Sequence, residues 1–129
     1  MPLMKIDLLK GRSNTEIKSI LDIGYQVARE TLLIPEGDRY QVVTQHGKGE
    51  IILEDTGLGF QRSDKFLLFS ITSRPRTREQ KVNFYKRLVE RLNKELGLDP
   101  KDVMVNFTIN TDDDWSFGFG RAQFLTGEL

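Results

Sequence analysis

The sequence has no cysteine and only one histidine, His46, among its 129 residues. Without cysteine, the chain can form no disulfide, no thiolate metal site and no cysteine nucleophile. One histidine supplies neither a histidine metal cluster nor a Ser-His-Asp triad, so we interpret His46 as a loop or strand-end residue. We therefore expect a functional site without a metal ion or another cofactor.

The sequence also lacks an excess of charge and any long hydrophobic run. The 19 Lys and Arg residues balance 19 Asp and Glu residues, which gives no argument for a nucleic-acid or membrane partner. The longest dense apolar run, residues 66–69, is far too short to span a bilayer. Lys5 and Asp7 interrupt the start of the chain too early for a secretory signal. These features predict a cytoplasmic protein with one domain over residues 1–129.

The spacing of apolar residues predicts four strands and two long helices, in the order strand, helix, strand, repeated once. The strands are predicted at Leu3 to Leu9, Tyr40 to Thr44, Phe66 to Thr72 and Val103 to Ile109.

The ends of both predicted helices carry capping signals. Ser13 precedes the first helix and has the spacing of a capping box with Glu16. The turn at residues 35–37 ends this helix. Thr77 can cap the second helix, and Gly97 fits the position just after its last turn.

The two halves of the chain correspond at one constant spacing. Leu32 matches Leu96 and Asp38 matches Asp102, each pair 64 positions apart (96 minus 32). This correspondence predicts two strand-helix-strand repeats, approximately residues 1–64 and 65–129. A right-handed crossover makes the two strands of each repeat parallel.

The predicted fold is therefore of the α/β (α+β) class. Four strands form one mixed sheet, and two helices cover one of its faces. The other face has no predicted helix to cover it, which is a physical reason to expect an oligomer.

The sequence allows more than one interpretation of three segments. Residues 50–63 fit a hairpin or an excursion to a neighbouring subunit. Consecutive acids at Asp112–Asp114 favour a solvated loop over a cation site. Trp115, Phe117 and Phe119 alternate, so on a strand they share one face, where they would either pack a core or subunit contact or line a pocket.

A proline directly after the initiator Met, as in Met1-Pro2, and two strand-helix-strand units resemble the tautomerase superfamily. The segments 72–76 (Thr-Ser-Arg-Pro-Arg) and 38–40 (Asp-Arg-Tyr) narrow the resemblance. Together with residues 114–117 and 123–127, they are similar to the malonate semialdehyde decarboxylase branch. The resemblance covers essentially the whole chain.

The resemblance implies a role for each matching position. Pro2 would be the catalytic amine, freed by removal of Met1, and Asp38 the acid that activates it or a water molecule. Arg74 and Arg76 would hold the carboxylate of a small oxo-acid substrate and promote its departure. The apolar wall of the site would be formed by Trp115, Phe117 and Phe124. The family fold also implies a homotrimer.

The same positions have chemical meaning without the resemblance, but also simpler alternatives. A free prolyl nitrogen is an amine that titrates near neutral pH. Arg74 and Arg76 would face one side of an extended segment and could grip one carboxylate, although two solvated surface arginines are the common case. Asp38 could equally serve a turn, as we expect for Asp102.

Three functions follow from these residues. The first is decarboxylation of a 3-oxo acid such as malonate semialdehyde, either through a hydrate formed with help from Asp38 or through an iminium at Pro2. The second is enol–keto tautomerisation of a 2-oxo acid with Pro2 as base. The third is a binding homologue without catalysis.

Overall fold

The computed structural model describes residues 2–129 and contains one four-stranded sheet in the order β2-β1-β3-β4. The main elements are β1 (Leu3–Leu9), α1 (Asn14–Leu32), β2 (Tyr40–His46), β3 (Leu67–Ser73), α2 (Arg78–Leu96) and β4 (Val103–Ile109). Short 3-10 turns occupy Pro100–Asp102 and Asp112–Asp114, and a single-turn helix, α3, spans Gln123–Thr126. The predicted mixed sheet with its two long helices is confirmed.

The register of the sheet brings four strand ends together. β1 runs parallel to β2 with Leu3 opposite Tyr40, and antiparallel to β3 with Leu3 opposite Thr72. β3 runs parallel to β4 with Ser73 opposite Ile109. At one end of the sheet, which we call the Pro2 end, β1 and β2 therefore begin while β3 and β4 finish. The other end, where β2 finishes at His46, is the His46 end.

The core lies between one face of the sheet and the two long helices. Alternate residues of β1 and β3, among them Ile6 and Phe69, point to this face and are 1% and 0% exposed. They pack with Val27 of α1 and Leu88 of α2, both fully buried. On the opposite face side chains stay accessible, as Val42 illustrates with 46% exposure. Strand periodicity thus produces one buried and one partly open face.

The capping predictions hold for α2 and are half wrong for α1. Thr77 accepts a hydrogen bond from the Gln80 amide, and the Gln80 side chain accepts one from the Thr77 amide. Ser13 accepts from the Glu16 amide at 3.1 Å. The Glu16 carboxylate, however, does not return to Ser13, because it accepts a charge-assisted bond from Arg12 Nε at 2.9 Å. The ion pair offers Glu16 a stronger partner than a backbone amide.

Helix α1 ends slightly earlier than the turn that was predicted to end it. Its last residue is Leu32, and Leu33 adopts a left-handed backbone with φ 55°. Gly37 then makes the turn into β2 with φ 85°, a conformation in which a side chain would be strained. Gly97 ends α2 with φ 68°, as predicted.

The long connection between the repeats contains neither helix nor strand over residues 50–63, so the hairpin alternative is wrong. Its loop is closed by the Asp55 carboxylate, which accepts from the amides of Gly57, Gly59 and Phe60. His46 is the last residue of β2, as predicted, and its Nε2 lies 2.7 Å from Asp7 Oδ1.

Candidate active site

The Pro2 end of the sheet collects residues that are far apart in the sequence. Pro2 directly precedes β1, Asp38 lies two residues before β2, and Arg74 directly follows β3. Because these strand ends are adjacent in the register, the topology alone gathers the three residues at one edge. Arg76 follows in the short connection to α2.

Pro2 and Asp38 border the same small cavity. Pro2 is buried, and Asp38 is 7% exposed. Both line a small space of about 10 Å³ together with Met4, Ile34 and Tyr40. The nitrogen-bearing residue and the carboxylate are thus neighbours in a mainly apolar setting.

The Asp38 carboxylate is poorly compensated. Burial raises the pKa of Asp38, while the positive charges of Arg76 and Arg74 act in the opposite direction. Its Oδ2 atom is buried and has no hydrogen-bond partner. A carboxyl group in this state is suited to exchange a proton with a ligand rather than to hold the fold together.

Arg76 is hydrogen-bonded to the protein, and the nearby charges of Arg74 and Asp38 shift its pKa. Its Nε donates to Ser73 Oγ at 3.0 Å, and its Nη1 donates to the Leu32 carbonyl at 2.6 Å. Burial and the charge of Arg74 lower the pKa of Arg76, and Asp38 acts in the opposite direction. The guanidinium is therefore held at a fixed place beside a second cation.

Arg74 leaves one of its donor atoms without a hydrogen-bond partner. Its Nη1 donates to Asp112 Oδ1 at 2.9 Å, and its guanidinium carbon lies 3.9 Å from the Phe124 ring centroid. The Nε atom is buried without a partner. Asp112, interpreted from the sequence as part of a solvated loop, thus contacts the site by pairing with Arg74.

An aromatic wall formed by Tyr40, Trp115, Phe117 and Phe124 connects these charged groups. Phe117 is its centre: its ring centroid lies 5.7 Å from Tyr40, 5.6 Å from Trp115 and 5.4 Å from Phe124. Trp115 stacks on Phe117 with an angle of only 10° between the rings. The wall extends from Tyr40, beside Asp38, to Phe124, which lies under Arg74.

A cleft of about 430 Å³, which we call the Asp38 cleft, opens along this wall. Its lining consists of Pro35, Glu36, Gly37, Asp38, Tyr40, Phe117, Gln123, Glu128 and Leu129. Arg74 and Arg76 do not line the cleft and reach Asp38 through their electrostatic field. The structure thus brings all the predicted site residues to one end of the sheet but distributes them over adjoining spaces.

Two parts of this arrangement differ from the sequence analysis. Phe119 does not share a face with Trp115 and Phe117, because it adopts φ 60° between two glycines and is 90% exposed against Arg121. Sequence reasoning also did not single out Gln123, which is 8% exposed and borders the cleft. Its sequence signal was its place in the segment 123–127, which contributes to the family resemblance.

The described residues contain no group of three or more His, Asp or Glu side chains that could hold a metal ion. The described helices include none long and apolar enough to cross a membrane.

The two strand-helix-strand units, the buried proline and carboxylate, and the two half-buried arginines define a small enzyme of the tautomerase class. The sequence profile of the family described as tautomerase enzyme matches residues 38–118. The probable tautomerase YrdN of Bacillus subtilis (strain 168) is 45% identical over 129 residues, which is 100% of both chains. The chain therefore belongs to the tautomerase family.

Solved structures place the chain near one branch of this family. A malonate semialdehyde decarboxylase is 50% identical, with a TM-score of 0.95 and 98% of each chain covered. The FG41 malonate semialdehyde decarboxylase, solved after inhibition by 3-bromopropiolate, is 41% identical with a TM-score of 0.94, covering 98% of this chain and 97% of the other.

Proposed function

We propose that this enzyme decarboxylates a small 3-oxo acid such as malonate semialdehyde, using the amine of Pro2 after removal of Met1. One observation carries the proposal. Asp38 Oδ2 and Arg74 Nε are the two buried side-chain polar atoms without a partner in the described part of the chain, and both lie at the Pro2 end. An unsatisfied buried polar atom costs about 1–3 kcal/mol, so a ligand that satisfies both would bind favourably.

The two atoms need partners of opposite hydrogen-bonding type. Arg74 Nε is a donor and suits a substrate carboxylate, while Asp38 Oδ2 is an acceptor, when ionised, and suits a water molecule or a hydroxyl group. Arg74 and Arg76 repel each other, and an anionic carboxylate between them would offset that repulsion. A 3-oxo acid supplies a carboxylate at one end and a hydratable carbonyl at the other.

The proposed first step is hydration of the aldehyde. Asp38 takes a proton from water as the water oxygen attacks the aldehyde carbon, and protonated Pro2 gives a proton to the carbonyl oxygen. General acid–base assistance of this kind is worth about 10²–10⁴-fold in rate. The product is the hydrate, with two hydroxyl groups on one carbon.

The second step breaks the bond to the carboxylate. Its electron pair forms a carbon–carbon double bond as one hydroxyl leaves with the proton held by Asp38. The products are carbon dioxide, water and an enol, and the enol becomes acetaldehyde by gaining a proton at carbon while its hydroxyl proton returns to the Pro2 nitrogen. One proton from solvent is consumed in total. Hydration also proceeds without decarboxylation when the hydrate escapes.

The description of one relative names both of the activities that these steps involve. The 50% identical decarboxylase is described as having both decarboxylase and hydratase activities, and it was also solved with its first residue, a proline, replaced by alanine. The alternative is enol–keto tautomerisation of a 2-oxo acid, which the probable tautomerase YrdN favours. In that reaction neutral Pro2 would carry the proton between oxygen and carbon.

A direct assay separates the possibilities. Purified protein, with Met1 removal verified by intact mass, is incubated with 3-oxopropanoate and, separately, with the enol of a 2-oxo acid, and products are followed by NMR. Acetaldehyde and carbon dioxide from the first substrate support the proposal. Turnover of the enol alone selects the tautomerase, and no turnover of either substrate leaves a binding protein.

The enzyme is also proposed to act as a homotrimer. The sheet face without helices carries accessible apolar side chains such as Val42 and Met104, which are 46% and 37% exposed. Further copies of the chain would bury this face. Light scattering at micromolar concentration tests this directly, and a monomeric mass would contradict it. The cytoplasmic location remains a prediction made from the sequence.

A further inference from the structure

Gln123 is a buried polar side chain at the Asp38 cleft to which the proposed chemistry gives no role. It is 8% exposed and belongs to α3, a helix of only four residues. Long polar side chains are seldom this buried without a specific partner. Gln123 finds its partners in the backbone next to the centre of the aromatic wall.

Both ends of its amide are used. Oε1 accepts from the Phe117 amide at 2.9 Å, and Nε2 donates to the Gly118 carbonyl at 2.9 Å. The side-chain amide therefore bonds one backbone group on each of two consecutive residues, and we call this pair of bonds the clamp. Its own backbone carbonyl accepts from the Leu129 amide at 3.3 Å, so one residue connects two segments that line the cleft.

This clamp holds a stretch of chain that has little regular structure of its own. Gly118 has φ 146° and Phe119 has φ 60°. The local backbone pairing in this stretch is an isolated bridge between Gly118 and Arg121. The two bonds of the Gln123 side chain therefore hold the backbone next to the Phe117 ring in a stretch with few other backbone bonds.

We infer that Gln123 is a positioning residue, which sets the aromatic wall of the Asp38 cleft by fixing the backbone at Phe117 and Gly118. It does not need to touch the substrate. Loss of the clamp would let Phe117 leave its stack with Tyr40 and Trp115 and admit water beside Asp38. The kinetic consequence rests on the proposed function, whereas the structural consequence does not.

The chain offers an internal reporter for this position. Trp115 is the only tryptophan and stacks on Phe117 at 5.6 Å between ring centroids. Its fluorescence reports the wall without any substrate. A failure of the proposed reaction therefore leaves the test of Gln123 intact.

The experiment compares Gln123→Met, Gln123→Glu and Phe117→Ala with the wild type, with Gln26→Met on the exposed side of α1 as a matched control. Met keeps the length of the side chain and removes both bonds. Glu keeps an acceptor for the Phe117 amide. We expect Gln123→Met to shift Trp115 emission to longer wavelength, Gln123→Glu to remain closer to the wild type, and the control to be unchanged.

A role in packing alone gives the reverse order, because Met matches the volume of Gln and Glu brings an ionisable group into a buried position. Wild-type fluorescence in a folded Gln123→Met protein, or a larger change in Gln123→Glu, would overturn the inference. If Gln123→Met does not fold, the emission of Gln123→Glu decides. Adding Phe117→Ala to Gln123→Glu should change the Trp115 emission as Phe117→Ala changes the emission of the wild type. Loss of that change would contradict a bond between the side chain at position 123 and the Phe117 amide.

Kinetics supply the second readout. Gln123→Met should raise KM about three- to tenfold, the loss expected for one or two hydrogen bonds, with a smaller change in kcat. Both substitutions act on the Phe117 ring. The double variant Gln123→Met/Phe117→Ala should therefore lose no more kcat/KM than Phe117→Ala alone. Effects that multiply would show that Gln123 acts independently of Phe117.

Discussion

The two ends of the sheet carry matching residues, but the aspartates at these ends differ in their hydrogen bonds. Shifting the first half of the chain by 64 positions (74 minus 10) places Lys10 on Arg74 and Arg12 on Arg76, and the same shift pairs Asp38 with Asp102. The Pro2 end therefore holds Asp38 and the two arginines, and the His46 end holds their counterparts. What differs between them is how the polar atoms are satisfied.

At the His46 end, Asp102 and Arg12 are bound to the protein itself. Asp102 is 2% exposed and accepts from the Ser63 amide at 2.8 Å and from Ser63 Oγ at 2.6 Å. Arg12 pairs with Glu16 and donates to the Lys65 carbonyl. At the Pro2 end, Asp38 Oδ2 and Arg74 Nε have no such partners.

Similar residues are thus satisfied by the protein at one end and left available for the proposed ligand at the other. A buried carboxylate with two good donors stabilises the fold. A buried carboxylate that lacks a partner costs stability, and natural proteins tolerate that cost mainly at functional sites. The proposed amine of Pro2 would add a further asymmetry, because the counterpart of Pro2 is Phe66, whose nitrogen lies within the chain and cannot be a free amine.

The largest effect should come from removing that asymmetry. An N-terminal extension converts the Pro2 nitrogen into an amide, which cannot titrate, so decarboxylation should fall about 10²–10⁴-fold. The measurement is kcat/KM of proteins whose termini have been verified by intact mass, with melting temperature as the control for folding. An extended protein that keeps normal activity would remove Pro2 from the mechanism.

The next effect tests the two aspartates against each other. Asp38→Ala should lower kcat/KM about 10²–10⁴-fold without lowering the melting temperature, because Asp38 Oδ2 has no partner to lose. Asp102→Ala should do the opposite, with roughly 1.5–3 kcal/mol lost for each bond to the charged group and catalysis retained in the folded protein. Equal changes of activity and of melting temperature in the two variants would contradict the proposed difference between the two ends of the sheet.

Substitution of the arginines should change kcat/KM less than substitution of Asp38 does. Arg74→Ala should lower kcat/KM about ten- to a hundredfold, the value of a charge-assisted hydrogen bond to the substrate carboxylate, and Lys should restore it only in part. Arg12→Ala should instead lower stability, because Glu16 and the Lys65 carbonyl lose their donor. Arg76→Ala should affect both properties, since Arg76 also donates to the Leu32 carbonyl. Full activity in Arg74→Ala would reject its carboxylate role.

The pH dependence of stability sharpens the difference at Asp38. Burial raises the pKa of Asp38 above 3.8, so the folded chain keeps this proton at pH values where the unfolded chain has released it. The free energy of unfolding therefore decreases as the pH rises from 3.8 through the folded pKa. Asp38→Asn removes this dependence, and its melting temperature should match the wild type at low pH and exceed it increasingly as pH rises. The reverse trend would show a stabilised carboxylate.

The smallest effect concerns the helix caps of the two repeats. Thr77→Ala removes a complete capping box and should cost about 1 kcal/mol. Ser13→Ala removes one bond, because Glu16 is engaged with Arg12, and should cost less than Thr77→Ala. Urea unfolding with a shared slope measures both. A larger loss in Ser13→Ala would indicate that Glu16 completes the box in solution.

Much of the fold could be predicted from the sequence, since strands and helices have their own periodicities. β1 and β4 have the predicted limits, and β2 extends two residues further than predicted, to His46. The strand-helix-strand order and the constant spacing between the halves also specified the mixed sheet. Predictions were less accurate where one local partner competes with another, as at Glu16, and where glycines redirect the chain, as at Phe119.

The candidate site divides in the same way. Pro2, Asp38 and Arg74 were recognisable in the sequence by residue type, position and family resemblance, because local patterns are written along the chain. Which aspartate would be left without a partner was decided only in three dimensions, when the loop containing Ser63 packed against Asp102 and no donor reached Asp38 Oδ2. Hydrogen-bond satisfaction depends on groups that packing brings from distant parts of the chain, and neither periodicity nor spacing along a sequence contains that information.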